Sequence, residues 1–292
     1  MADRFAVTAP ATMGFAPSSV ASRGAIILNK LLALITRGFL DASSYRLNFI
    51  GTYFGGVLYV VFYALLARFI GKPPAGVQAY GDYFTYLLIG STFVRYLSLG
   101  MKHFSRELEK QMVAGTIEPL VATATSPAFA LLGVSAWILV EGVLVMLLEL
   151  AVGVFVFKAD LARANWPAAI ALAVLTLVAL NSWGVISAAF VVVFKRADPL
   201  NWFVDLTAFI FCGVYFPVTL LPIWLRVVSY ALPLTYAIEG LRGALMQGRT
   251  LGESGTHALI LIAFDLLLIP TSIAAFRYAL AYTRRTGSLG HY

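Results

Sequence analysis

Residues 167–194 read PAAIALAVLTLVALNSWGVISAAFVVVF and contain no charged side chain. An α-helix needs about 20 mostly apolar residues to cross the hydrocarbon core of a bilayer, and this stretch is longer than that. The preceding Asn165-Trp166 places a capping side chain just before a proline at the first helical position. The stretch therefore predicts a membrane-spanning helix.

The composition of the whole chain points the same way. Hydrophobic residues make up 60% of the sequence and charged residues only 12%, whereas a soluble domain carries about 25% charged residues. So few charges cannot cover the surface of a soluble globular protein. We therefore predict an all-α polytopic membrane protein with six transmembrane helices. The spans lie at about 48–68, 83–101, 127–157, 167–194, 199–217 and 258–281.

The net charge of +7 comes from basic residues at the ends of apolar runs, where anionic lipid headgroups lie. No cluster of Lys and Arg with interleaved aromatic residues occurs, so nucleic-acid binding is not predicted. More of the Lys and Arg residues lie on the side of the membrane that holds the termini. The positive-inside rule then predicts that both termini are cytoplasmic.

The segments before and after the spans differ in character. Residues 1–25, rich in Ala, Ser, Thr and Pro, predict a disordered cytoplasmic tail, and 286–292 form a second short tail. Between the first tail and the first span, Lys30, Arg37 and Asp41 oppose an apolar stripe, which predicts an amphipathic helix in the headgroup plane. The alternative is a lead-in to the first span with no role of its own. The stripe comprises Ile27, Leu28, Leu31, Leu32, Leu34, Ile35 and Phe39.

The segment 107–127, ELEKQMVAGTIEPLVATATSP, is a charged stretch between long hydrophobic runs. Its charges could contact a protein outside the membrane, and Gly115-Thr116 can end one helix and cap the next. Such an element, joined to two spans, could pass a partner's motion into the bundle. The alternative is a solvated loop whose charges face water.

The segment 218–247, VTLLPIWLRVVSYALPLTYAIEGLRGALMQ, is apolar but is broken by Pro222 and Pro233. Neither half is long enough to cross the membrane. We predict two short helices that enter the outer leaflet and return, with protein covering the broken backbone. Glu239 and Arg242 are spaced i,i+3 and are expected to pair. The alternative is a pair of amphipathic helices on the surface.

Both segments carry motifs of a known family. Glu107-Leu-Glu-Lys and Gly115-Thr-Ile-Glu-Pro-Leu, followed by Ala122-Thr-Ala-Thr-Ser-Pro127, resemble the E-x-G-T-x-E-x-L-x-x-T-P-x-S segment of ABC-2 type transporter permeases. Ala124 and Thr125, which separate Thr123 from Ser126-Pro127, are a departure from that pattern. The second signature of the family resembles Gly213-Val-Tyr-Phe-Pro217, Leu221-Pro222, Leu232-Pro-Leu-Thr-Tyr236 and Glu239-Gly-Leu-Arg242.

The resemblance covers residues 25–285 and implies that this chain is the membrane subunit of a transporter whose ATPase is a separate chain. The transmembrane domain would take residues 26–285, with a coupling segment at 105–127 and a re-entrant hairpin at 218–247. The family pairs two permease copies, here expected as a homodimer, above two cytoplasmic ABC ATPase subunits. The chain has no G-x-x-x-x-G-K-[ST] phosphate loop. ATP and Mg would therefore bind the separate ATPase, and this chain would be neither an enzyme nor a cofactor-binding or metal-binding protein.

The same resemblance implies site residues and a substrate class. The L-P-L-T-Y sequence at 232–236 is closer to drug, antibiotic and lipo-oligosaccharide exporters than to polysaccharide exporters, which commonly have N-P there. Export of an amphiphile across the bacterial plasma (inner) membrane is expected. The residues implied in ATPase coupling are Glu107, Glu109, Lys110, Gly115, Thr116 and Glu118. Those implied in the hairpin are Pro217, Pro222, Pro233, Tyr236, Glu239 and Arg242.

Five ionisable residues lie inside the predicted spans, where each costs about 2.5–3.5 kcal/mol at the bilayer centre. They are Arg95, Glu141, Glu149, Asp205 and Asp265. Glu141 and Glu149 lie near one helical face, so a substrate path and an interhelical pair are both open. An ion-coupled secondary transporter is the alternative function, although no internal repeat supports it. The proposed substrate path comprises Tyr53, Phe54, Phe93, Tyr96, Glu141 and Glu149.

Overall fold

The computed structural model describes residues 20–74, 76–113, 127–194 and 208–286. Within these ranges the chain forms helices joined by turns and contains no strand. Short 3₁₀ turns occur at Gln78–Tyr80 and Val218–Leu220, and residues 208–211 are helical. The α-helices are, in chain order, α1 (Val20–Ser44), α2 (Arg46–Ile70), α3 (Tyr83–Val113), α4 (Pro127–Phe155), α5 (Trp166–Phe194), α6 (Ile223–Tyr230), α7 (Pro233–Met246) and α8 (Gly255–Thr286).

The membrane class predicted from composition is confirmed by the helices. Four described helices are long and apolar enough to cross a bilayer. They correspond to the predicted first, third, fourth and sixth spans: Arg46–Ile70, Ala136–Phe155, Trp166–Phe194 and Gly255–Thr283. The first nine residues of the predicted fifth span, 199–207, lie outside the described residues, and the chain has left the helix by Cys212. The count of six spans therefore stays a prediction.

Helix α3 is the centre of the bundle although it is not among those four helices. It packs against α2, α4, α5 and α7, and its residues 83–94 are all buried. Two of its polar groups are satisfied locally, since the Ser91 hydroxyl donates to the Leu87 carbonyl at 2.7 Å and the Thr85 hydroxyl donates to Asp82 at 3.0 Å. A helix of moderate hydropathy can therefore occupy the protein interior instead of facing lipid.

Small residues bring α3 and α5 into close contact. A Cβ added at Gly184 of α5 would overlap the backbone oxygen of Met101 on α3. One added at Gly100 would lie 3.3 Å from Leu177 and 3.4 Å from Asn181. Close backbone approach at small residues is the usual way in which membrane helices pack, because lipid provides no hydrophobic force between helices.

The amphipathic segment before the first span is a helix, as predicted. It begins at Val20, so the last residues of the expected disordered tail are helical, while residues 1–19 and 287–292 lie outside the described residues. Arg37 and Asp41 are exposed, and Nε of Arg37 lies 3.9 Å from Oδ2 of Asp41. Phe39 packs edge-on against Trp137 of α4, with ring centroids 5.2 Å apart. Some side chains of the amphipathic pattern also lie outside the described part of the chain. They are those of Ile27, Leu28, Lys30, Leu31 and Leu34.

Candidate functional site

The segment broken by two prolines forms a pair of short helices, as predicted. Pro233 occupies the start of α7, where a missing backbone N–H costs nothing. The Tyr236 hydroxyl on α7 donates to the Tyr230 carbonyl of α6 at 3.1 Å, which ties the two helices together. α6 exposes large apolar side chains such as Ile223 and Trp224. α7 is buried along most of its length against α3, α5 and α8, so the alternative of two surface helices does not hold for α7.

Arg242 anchors α7 in the core. Its side chain is 1% exposed. Nη1 donates to the Gly213 carbonyl at 2.6 Å, and Nη2 donates to the carbonyls of Val214 at 2.8 Å and Tyr86 at 3.0 Å. The guanidinium also lies over the Tyr86 ring, 3.4 Å from its centroid. One side chain therefore connects α7, the start of α3 and the turn that follows residues 208–211.

The expected pairing of Glu239 with Arg242 is wrong. Glu239 Oε2 lies 3.7 Å from Nε2 of His257 on α8, and the guanidinium uses backbone carbonyls instead. The physical reason is the turn at Gly213, whose φ of 76° ends the preceding helix. Carbonyls at a helix end have no intrahelical donor, so they are available to a buried arginine.

A cavity of about 360 Å³ lies between α2, α3 and α4. This volume is within the range of about 300–1,000 Å³ that is usual for small-molecule sites. Its walls are mostly apolar, with charged groups from α3 and α4. The lining residues are Gly51, Thr52, Gly55, Gly56, Tyr59, Thr92, Arg95, Tyr96, Leu99, Ile138, Glu141, Gly142, Val145, Met146 and Glu149.

An ion pair crosses the cavity wall. Nη2 of Arg95 lies 2.9 Å from Oε1 of Glu149, and the two side chains are 27% and 1% exposed. The Arg95 guanidinium also stacks on Tyr59 of α2, 4.1 Å from the ring centroid. Glu141 lines the same cavity and has no salt-bridge partner among the described residues. The described charged groups of the lining thus sum to one negative charge when all three are ionised.

Glycines of α2 form the open side of the cavity. A Cβ added at Gly51 or Gly55 would meet no atom within 4 Å, whereas one at Gly56 would lie 3.0 Å from Oε1 of Glu149. Gly51, Gly55 and Tyr59 follow an i,i+4 spacing, which places them on one face of the helix. Because Gly51 and Tyr59 are exposed, the cavity extends to the outer surface of the chain beside α2.

The cavity contains half of the predicted substrate path. Tyr96, Glu141 and Glu149 line it. The other three do not: Phe54 is exposed on α2, Phe93 is buried in the core, and Tyr53 packs against Phe49 with tilted rings whose centroids are 5.0 Å apart. Arg95 and Tyr59 were not part of the predicted path. A charged residue within a predicted span was a sign that Arg95 belongs to a site. The sequence did not reveal that its partner is Glu149 on another helix.

The predicted coupling segment is only partly described. Helix α3 continues past the predicted end of its span at residue 101 as far as Val113. Its last turns carry Glu107, Glu109 and Lys110, of which only the half-buried Glu109 has a described side chain. Gly115, Thr116 and Glu118 lie outside the described residues, as does Asp205 in the predicted fifth span. ATPase coupling by these residues stays a prediction.

Comparison with known proteins identifies the family. The family model described as ABC-2 type transporter matches residues 29–246. The matched region includes the cavity and Arg242 and extends over most of the chain. A search of curated proteins found no match. The chain is therefore a member of the ABC-2 type transporter family, and it is a multi-pass membrane protein of the kind that serves as an ABC permease subunit.

Proposed function

We propose that the chain exports an amphiphilic molecule across a bacterial plasma membrane, driven by a separate ATPase. The observation that carries this proposal is the cavity between α2, α3 and α4, which combines apolar walls with three charged side chains. A molecule with an apolar body and a polar group fits both parts of such a surface. Family membership supports a permease subunit and an ABC ATPase partner.

The open side beside α2 supplies a route from the bilayer. Tyr59 is 51% exposed and borders the cavity, and Leu58 next to it is equally exposed. An amphiphile dissolved in the membrane could keep its apolar body against these side chains while its polar group reaches Glu141. No part of this route needs the molecule to leave the hydrocarbon region before it binds.

Helix α3 connects the cavity to the proposed ATPase contact. Thr92, Arg95, Tyr96 and Leu99 line the cavity, and the same helix continues to Val113. At 1.5 Å per residue, Val113 is about 21 Å along the axis from Leu99. A displacement at the Glu107–Lys110 end would therefore move the cavity wall, because one continuous helix links them. ATP and Mg would bind the ATPase, in two copies, and both termini of this chain would be cytoplasmic.

We further propose that two copies of the chain pair. Helix α2 carries a stripe of large apolar side chains that face away from the bundle along its whole length. Either lipid or a second copy must cover them, and the family arrangement favours a second copy over part of the stripe. The stripe comprises Leu47, Ile50, Phe54, Leu58, Phe62, Leu65 and Phe69.

Reconstitution of the chain with its ATPase in proteoliposomes tests the proposal. We expect transport that requires ATP and is blocked by vanadate. Glu107→Ala and Gly115→Pro should lower transport without unfolding the chain. Lys72→Ala, which lies between α2 and α3 at the opposite end of α3 from Glu107, should leave transport unchanged. Transport that follows an imposed ion gradient in the absence of ATP would show a secondary transporter instead. Full transport in both coupling variants would remove the coupling assignment alone.

A further inference from the structure

The charges around the cavity between α2, α3 and α4 are unequal. Arg95 already has a counter-ion, since Oε1 of Glu149 lies 2.9 Å from its Nη2. The ring of Tyr59 also covers the guanidinium, with its centroid 4.1 Å from Cζ. Glu141 has no such partner among the described residues. An ionised carboxylate without a counter-ion is unfavourable inside a membrane. The cavity is therefore suited to a ligand that brings one positive charge.

A buried hydroxyl also lines the wall. The Thr92 side chain is 2% exposed and borders the same cavity. Oε1 of Glu149 lies 2.9 Å from Nη2 of Arg95, so the two charges of this pair are engaged with each other. Glu141 is therefore the carboxylate of the wall that is left for a ligand.

The remaining walls fit an apolar or aromatic body. Val145, Met146, Leu99 and Ile138 line the cavity together with the ring of Tyr96. Aromatic faces attract cations, and a carboxylate beside them adds to this attraction. An anionic ligand would instead have to displace Glu149 from Arg95 and approach Glu141.

We propose that this cavity binds a monocationic amphiphile, with Glu141 as its counter-ion. The inference rests on the proposed function, because it names the substrate class of the same permease. Glu141 supplies the opposite charge, Tyr59 and Tyr96 supply aromatic surfaces, and the absence of a Cβ at Gly55 leaves room for the apolar body.

The test is equilibrium binding of tetraphenylphosphonium to the full chain in nanodiscs of zwitterionic lipid, with empty nanodiscs subtracted. Tetraphenylborate, of similar shape and opposite charge, is the matched probe. We expect saturable binding of the cation and none of the anion. Glu141→Gln should weaken binding at least tenfold, whereas Asp265→Asn should not, since Asp265 is a buried carboxylate of α8 outside the cavity lining.

A second variant keeps the test decisive if Glu141→Gln does not fold. Gly55→Val adds a side chain where a Cβ meets no atom, so it should fold normally and abolish binding by filling the cavity. Unchanged binding in folded Gly55→Val or Glu141→Gln would overturn the inference, as would equal binding of both probes. A wild-type chain that does not bind the cation would also overturn it. If Gly55→Val then changed the oligomeric state, a second copy of the chain would be the occupant of the cavity.

The outcomes separate this inference from the proposed function. Glu141-dependent binding of the cation without ATP-driven transport in the reconstituted complex would refute the export function and leave the site. ATP-driven transport of another compound, with no binding of tetraphenylphosphonium, would refute the substrate class and leave the export function.

Discussion

Replacement of Arg242 by methionine should release α7 from the core. The guanidinium makes three short hydrogen bonds to backbone carbonyls, those of Gly213, Val214 and Tyr86, and stacks on the Tyr86 ring. Methionine fills part of the same volume but donates no hydrogen bond. The Gly213 carbonyl keeps the Tyr86 hydroxyl as a donor at 3.0 Å, whereas no other side-chain donor is described for the Val214 carbonyl.

The expected loss follows from these contacts. Three hydrogen bonds from a charged donor are worth about 1.5 kcal/mol each at the lower end of the usual range, or about 4–5 kcal/mol together. The contact with the desolvated ring adds about 2 kcal/mol. Removal of a buried charge recovers several kcal/mol of desolvation, taken as about 3 kcal/mol. The net loss is about 3–4 kcal/mol, which lowers the melting temperature of a chain of this size by about 5–7 °C.

The assay uses the chain's one cysteine. Cys212 is the only cysteine in the sequence, is 0% exposed and immediately precedes Gly213. A maleimide dye that fluoresces on reaction with a thiol therefore reports opening at the Arg242 anchor during a thermal scan. Arg226→Met is the matched control, because within the described part of the chain Arg226 donates to the carbonyls of Leu221 and Thr219, which lie close to its own short helix. Arg242→Lys should fall between the two, since one ammonium cannot reach three carbonyls and stack flat on a ring.

A melting temperature of Arg242→Met within about 2 °C of the wild type would refute the reasoning. The same conclusion would follow if Arg226→Met shifted the dye reaction as far as Arg242→Met does. In either case the buried guanidinium would contribute little to the stability of the fold, and the packing of α7 alone would hold the hairpin in place.

Three further outcomes follow from other parts of the structure. Gly184→Ala should destabilise the chain by about 1–3 kcal/mol, because the added Cβ overlaps a backbone oxygen that cannot yield without separating α3 and α5. Gly100→Ala, whose nearest neighbours are side-chain atoms 3.3 Å or more away, should cost less, and equal melting shifts would contradict this. Arg95→Gln and Glu149→Gln should each destabilise the fold by about 3 kcal/mol, but together by less than their sum; additive losses in chemical unfolding would show that the pair is not coupled. The N–H and hydroxyl of Thr250 donate to Glu253 and hold the pKa of that exposed carboxyl below its usual range. Its stabilising effect is therefore present above the unfolded pKa of about 4.3 and is lost as the pH falls through the lower folded value. Hydrogen exchange of amides 250–258, corrected for intrinsic rates, should quicken over that window in the wild type but not in Glu253→Gln, and a flat wild-type profile would contradict it.

Much of the fold was predictable because its signals are local. The start of α5 at Trp166 is marked by a cap and a proline, and α4 begins at the predicted Pro127. Pro222 and Pro233 set the limits of α6 in the same way, because proline cannot continue a helix from the N-terminal side. Hydropathy and prolines depend only on neighbours in the chain, so a single sequence is enough to read them.

The candidate site was less predictable because its contacts are not local. Arg95 and Glu149 were recognisable as intramembrane charges, but their pairing depends on how α3 and α4 pack. Arg242 was assigned the wrong partner because i,i+3 spacing favoured Glu239, and nothing in that spacing reveals free carbonyls at a distant turn. The depth of α7 in the core was also hidden, because its pattern of apolar residues suits a surface helix equally well.

The low hydropathy of α3 has a consequence for how the protein is made. The ribosome delivers α3 before α4, α5 and α7, which later cover its buried Ser and Thr side chains and, through Glu149 of α4, pair with Arg95. On its own in lipid, a helix with these groups would partition poorly. Its stable integration therefore depends on segments not yet synthesised, so nascent chains truncated before Pro127 should slip back to the aqueous side, whereas chains extended beyond Met246 should retain α3 in the bilayer.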